Sequence, residues 1–202
     1  MSGIKLDITN ILELVSYISP VLVMFILSSL GLMNGTPMKS IMYVISLIMG
    51  LVGIIMFQSL FSVNNLDQRD VLCDLWHIPF LNNSLSSPSI SSFIVMFSIA
   101  YTLLPMLMNG TMNATFLTIM FTILGLDGYL KLNKKCVNMT GYMMSLFLGT
   151  LVGGGFSIIW SNISKKLTYF SSSESNRERC GRVSSSEFRC SVYKNGELVG
   201  SL

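Results

Sequence analysis

Long apolar runs separated by short polar breaks make up most of this chain. The runs cover residues 11–33, 41–61, 93–108, 112–126 and 141–160. About 20 apolar residues carry a helix across the hydrocarbon core of a bilayer. The pattern therefore predicts an all-α, multi-pass transmembrane bundle of about five spans, filling residues 1–160. The third run is short, and its helix is expected to begin near Pro88, with a serine capping its start.

The breaks have their own chemistry. Asn34-Gly35-Thr36-Pro37 and Asn109-Gly110-Thr111 read as tight turns. The pentapeptide LMNGT recurs at Leu32–Thr36 and Leu107–Thr111, and five spans put both copies on one membrane face. Residues 62–87 form the longest internal polar loop, with Asp67, Arg69, Asp70, Asp74, Trp76 and His77. Its aromatic residues suit the headgroup level. Residues 127–138 read as a second polar break, where Asp127 beside Gly128 ends a helix at the interface. A proton-relay role for Asp127 needs a buried partner, and the sequence offers no evident one. Inside the spans, Pro20 is tolerable because neighbouring groups can satisfy a freed carbonyl. Gly149 and Gly153, four residues apart, form a helix-contact pattern.

From residue 161 to 202 the chain turns serine-rich, polar and basic. This tail reads as mostly disordered. One exception is SVYKNGELV, where Asn195-Gly196 between alternating apolar residues signals a hairpin.

Composition sharpens the membrane reading. Hydrophobic residues make up 51% of the 202 and charged residues only 11%, against roughly a quarter charged in a soluble domain. Mean hydropathy is +0.62. The net charge is +3, with much of the positive charge after Trp160, which argues against a nucleic-acid groove. Cys73, Cys136, Cys180 and Cys190 show no CxxC spacing, and His77 is the sole histidine; no metal site and no cofactor are expected. Cys180 and Cys190 either pair in an oxidising compartment or stay free. The first ten residues lack a small-residue cleavage site, so no removed signal peptide is expected. Lysines and arginines fall on both faces and leave the orientation open. Glycosylation sequons at Asn34, Asn82, Asn109, Asn138 and Asn162 fall on both faces too.

The breaks also carry family-like spacing. Pro88-Ser89-Ile90-Ser91 stands at a helix start. Two spans later come Lys134-Lys135, five residues, Gly141, and then Ser145, with Gly149 and Gly153 following. This order over residues 41–160 resembles the phosphatidic-acid phosphatase type 2 superfamily, with its motifs K-x6-R-P, P-S-G-H and S-R-x5-H-x3-D. The resemblance implies a helical membrane core. It places the histidine that protonates the leaving group at Ser91, the nucleophilic histidine at Gly141 and its orienting aspartate at Ser145. Pro88, Ser89 and a basic Lys135 are kept; Arg69 is the only trace of the first motif. The resemblance thus implies a core without imidazole, in which Arg69, Ser89 and Lys135 remain as candidate phosphate or headgroup contacts.

Three function classes follow. The first is a non-enzymatic membrane protein, structural or binding lipid or a partner, on a catalytically dead phosphatase-like core. A structural protein of a viral or organelle membrane is one form of it. Its partners would be the bilayer, other membrane proteins or copies of itself, and a protein held by the tail. The second is a divergent lipid-phosphate phosphatase, which needs Arg69, His77, Ser89 and Lys135 in one cavity. The third, a small transporter or channel, ranks last because the spans show almost no charge.

Overall fold

The computed structural model describes residues 8–60, 88–164, 167–170, 191–194 and 197–201. Five helices fill the first part: α1 Ile8–Met33, α2 Pro37–Leu60, α3 Ile90–Asn109, α4 Ala114–Asn133 and α5 Met139–Ile163. All five are long and apolar enough to cross a membrane by length and composition. Even the 20-residue α3 and α4 reach about 30 Å at 1.5 Å per residue. Large apolar side chains such as Phe25, Ile48, Val52, Phe147 and Leu151 point outward, as a bundle with lipid for solvent requires. This is the architecture of a multi-pass membrane protein.

Contacts fix the helix directions. Ser40 Oγ donates to Ser28 O at 2.6 Å, pairing α1 and α2 antiparallel across the first turn. Tyr43 of α2 meets Ser98 of α3 at 2.7 Å, and Gln58 Nε2 donates to Pro88 O at 2.5 Å, so α2 and α3 are antiparallel. α3 and α5 run parallel, Phe93 beside Gly149 and Phe97 beside Gly153. The helices thus alternate, and α1, α3 and α5 start from one face, called here the entry face.

The α3–α5 contact is made by small residues. Gly141, Ser145, Gly149, Gly153 and Ser157 recur every fourth position and are all buried, forming a stripe on one side of α5. A β-carbon on Gly149 would lie 3.0 Å from Phe93 O and 3.1 Å from Phe97 N. The backbones therefore touch, as small-residue stripes permit in membranes. Around this seam Phe93, Phe97, Tyr43 and Tyr101 build the core. The Phe97 and Tyr101 rings stack at 5.9 Å, and Tyr43 meets Tyr101 edge-on at 5.5 Å.

Both LMNGT copies close their helices the same way. Gly35 and Gly110 take positive φ, +66° and +63°, a conformation glycine adopts without steric cost. Thr36 N donates to Gly31 O and Thr111 N to Met106 O, the six-to-one bond of a Schellman cap, with the glycine amides making the inner bond. Pro37 belongs to α2 rather than to the turn; as its first residue it loses no intrahelical donor. Pro20 would orphan the Ser16 carbonyl, and Ser19 Oγ donates to it at 2.7 Å instead.

Three expectations are corrected. The fourth span does not stop at 126: α4 runs on through Asp127 and Lys131 to Asn133, so most of the second polar break is helix. Ser89 is the N-cap residue of α3, yet its side chain makes no cap bond, because it is turned to another use described below. The bundle also continues past residue 160. α5 ends at Ile163, and residues 167–170 dock against the exit face. Tyr169 OH donates to Leu27 O at 2.7 Å, and Phe170 O accepts from Asn109 Nδ2 at 3.1 Å.

The expected terminal hairpin is present: β1 Ser191–Lys194 pairs antiparallel with β2 Glu197–Ser201. Its turn residues Asn195 and Gly196, and most of the rest of the tail, lie outside the described residues, as does the loop with Arg69 and His77.

Candidate functional site: a buried carboxylate–ammonium–hydroxyl cluster

At the entry face three helices bring polar groups together inside the bundle. α4 supplies Asp127 and Lys131, one turn apart and therefore on one side of the helix. α3 supplies Ser89, Ser91 and Ser92 from its first turn, and α1 supplies Ser16. Asp127 is fully buried. Lys131 Nζ lies 2.7 Å from Asp127 Oδ1 and 2.8 Å from Oδ2.

The carboxylate accepts from both neighbouring helices. Ser92 Oγ donates to Oδ2 at 2.7 Å and Ser16 Oγ to Oδ1 at 3.3 Å. The ammonium in turn faces the hydroxyls of α3. It donates to Ser91 Oγ, with Ser89 and Ser92 Oγ each at 3.3 Å. The first turn of α3 carries unpaired backbone N–H groups and the positive end of its dipole, which favours a carboxylate beside it. The end of α4 favours a cation. The site is thus close to neutral, and each charged group has its hydrogen bonds met within the bundle. Such closure is the condition under which buried charges persist.

α5 joins the cluster through Tyr142. Its hydroxyl donates to Leu124 O at 3.2 Å, and its ring end crosses α4 over Gly128, where any β-carbon would collide with the hydroxyl. That close passage explains a glycine beside Asp127 within a helix. Gln58 of α2 reaches the start of α3, and its buried Oε1 has no hydrogen-bond partner among the described residues.

Ser89 and Ser91 stand in the cluster, 3.3 Å apart. The cation that meets them is Lys131, one turn before Lys135. Lys135 is exposed in α4's Schellman-type closure with φ +53°, and its amide donates to Leu132 O. Gly141 and Ser145 are buried in the first turns of α5. Ser145 Oγ donates to Gly141 O at 2.8 Å, so its bond stays within α5. Arg69 and His77 lie outside the described residues. Asp127, read as an interfacial helix end without a partner, has one in Lys131. Ser16 and Ser92 were not singled out at all. The four-residue spacing of Asp127 and Lys131 was the available signal; a serine in an apolar helix gives none.

Chemically the cluster offers one cation, one carboxylate and four hydroxyls, and no imidazole among the described residues. No group of three or more His, Cys, Asp or Glu side chains among the described residues could hold a metal ion. A second polar group lies deeper, around Tyr43, Ser98 and Tyr101. Phe93, Val95 and Phe97, all buried, intervene along α3. Compared with protein-family models, with curated proteins and with solved structures, the chain finds no match.

Proposed function

We propose that this chain is a non-enzymatic multi-pass membrane protein, a structural or partner- and lipid-binding component. Its core resembles a lipid phosphatase that has lost its chemistry. One observation carries the reading: the ammonium nearest the Pro88-Ser89-Ile90-Ser91 motif is held by the protein's own carboxylate. A cation with serine hydroxyls and a helix start is a set suited to an anion. Here Asp127 fills the anion's place from within, and a phosphate would have to displace a buried, hydrogen-bonded group. Phosphoryl transfer through an enzyme-bound intermediate also needs a nucleophile and an acid for the leaving oxygen. Gly141 and Ser91 supply no imidazole for either task.

The alternative, a divergent lipid-phosphate phosphatase, requires Lys135 with Ser89; the hydroxyl of Ser89 is instead within reach of Lys131. A structural role in a viral or organelle membrane is one form of the proposal. Transport gains from the buried Asp127–Lys131 pair in α4. The aromatic and aliphatic filling between the two polar groups of α3 weighs against it.

The test is phosphate release from phosphatidic acid by the purified full-length protein in detergent micelles. The proposal expects a rate equal to the protein-free control, unchanged by Lys131→Ala. Turnover that Lys131→Ala or Ser89→Ala abolishes would overturn it.

A further inference from the structure

Two hydroxyls inside the bundle have no hydrogen-bond partner among the described residues: Tyr101 OH of α3 and Ser157 Oγ of α5. Both residues are fully buried. The seam between the two helices puts them side by side. Phe93 lies beside Gly149 and Phe97 beside Gly153, so one turn further along these parallel helices Tyr101 comes level with Ser157. Ser157 does not turn back on its own helix. Ser46, Ser98, Ser145 and Thr150 each donate to the carbonyl four residues before them, whereas the Ser157 hydroxyl donates to none. α2 closes the third side. Gly50 packs on Val152 of α5, and Ser46, one turn earlier on α2, accepts from Trp160 Nε1 at 2.6 Å; Ser157 lies between those two α5 contacts. The Tyr101 hydroxyl faces Ser46 without closing a hydrogen bond to it. Unpaired hydroxyls are costly where the surrounding medium holds no water.

We propose that one water molecule is bound here, accepting from Tyr101 OH and Ser157 Oγ and donating to Ser46 Oγ. Donors and acceptors match it. Tyr101 and Ser157 each have one O–H to give. Ser46 gives its proton to Met42 O and takes one from Trp160, which leaves its second lone pair open. Three bonds are the usual complement of a buried water. The neighbouring hydroxyls are committed elsewhere. Ser98 donates to Ile94 O, so the bond between Tyr43 OH and Ser98 Oγ takes its proton from Tyr43. Tyr169 OH donates to Leu27 O. The rings of Phe97, Tyr43 and Tyr169 surround the Tyr101 ring and keep lipid from the site. The water ties α2, α3 and α5 together in the exit half of the bundle, as Asp127 and Lys131 tie α1, α3 and α4 at the entry face. This binding site is independent of whether the core is enzymatic.

The test is a crystal structure of the full-length protein grown from lipid, at a resolution that shows ordered water, joined to thermal melts in micelles. The expected result is one density peak about 2.7–3.2 Å from Tyr101 OH, Ser157 Oγ and Ser46 Oγ. Tyr101→Phe and Ser157→Ala each remove one donor to the same water. Each should lower Tm by about 2–4 °C, and the double variant should lose clearly less than the sum. Tyr101→Phe combined with Ser145→Ala is the control. Ser145 bonds Gly141 O within α5, about three turns from Ser157, so those two losses should add. A structure with no peak between the two hydroxyls would overturn the inference, as would one in which either hydroxyl bonds directly to protein. Losses for Tyr101→Phe and Ser157→Ala that add as fully as in the control would overturn it too. The structure of the unaltered protein decides the matter even if a variant fails to fold.

Discussion

Gly153 of α5 presents its bare α-carbon to the Phe97 carbonyl of α3. A β-carbon there would collide with that oxygen and lie 3.0 Å from Phe97 Cα. Backbone cannot yield as a flexible side chain can, so the helices must separate. Gly153→Ala is expected to destabilise the bundle by about 1–3 kcal/mol, the usual scale of overpacking. Gly155, two residues on, faces open space, and Gly155→Ala should leave stability within about 1 kcal/mol of the starting protein. Unfolding of both variants in mixed micelles checks the contrast.

Lys135 occupies a backbone position that ordinarily goes to glycine. Its φ of +53° puts a side chain where left-handed geometry costs about 1–2 kcal/mol, in the same closure that Gly35 and Gly110 make without that cost. Lys135→Gly should therefore raise stability by about 1 kcal/mol. If Lys135 instead gripped a bound headgroup, the glycine variant would lose lipid affinity, which vesicle co-sedimentation with phosphatidic acid would detect.

The segment after α5 closes the exit face through Tyr169, whose ring meets Tyr43 at 6.3 Å and Tyr101 at 6.4 Å, both edge-on. Its hydroxyl bridges toward Leu27 O and Ser40 Oγ. Tyr169→Phe keeps the ring contacts and loses the hydroxyl, for an expected cost of about 0.5–1.5 kcal/mol. Tyr169→Ala loses both and should cost about 3–5 kcal/mol. Equal, small effects for the two variants in a thermal melt would show that this segment does not close the bundle.

Much of this was legible in the sequence, because span length, Asn-Gly caps and the Gly149–Gly153 spacing each follow from local chemistry. Five spans, the shared face of the LMNGT turns and the Gly149–Gly153 part of the α5 contact needed no tertiary knowledge; Gly141, Ser145 and Ser157 join that stripe only in the folded bundle. The end of α4 was not legible in the same way. Asp127, Gly128, Lys131 and Lys134 together look like an aqueous break. Asp127, Gly128 and Lys131 are helical because Asp127 and Lys131 neutralise one another, and hydroxyls of α1 and α3 complete their bonding. Gly128 is needed for the passage of Tyr142. Ser16 and Ser92 carry no composition signal, since a serine that binds a distant helix looks like one that bonds its own turn. Tyr169 was read as tail because its neighbours are polar, although its ring fits a hole among tyrosines far away in sequence.

The central claim is that Asp127 and Lys131 act as one closed internal unit, and a double-mutant cycle in detergent at pH 8 tests it most directly. Lys131→Met alone should cost about 3–5 kcal/mol by stranding a buried carboxylate. Asp127→Asn alone strands the ammonium and should cost a similar amount. The double variant should regain most of the loss, with a coupling of about 2 kcal/mol or more. Single costs that simply add, to within about 0.5 kcal/mol, would contradict the account and leave the two residues as independent groups open to an outside ligand.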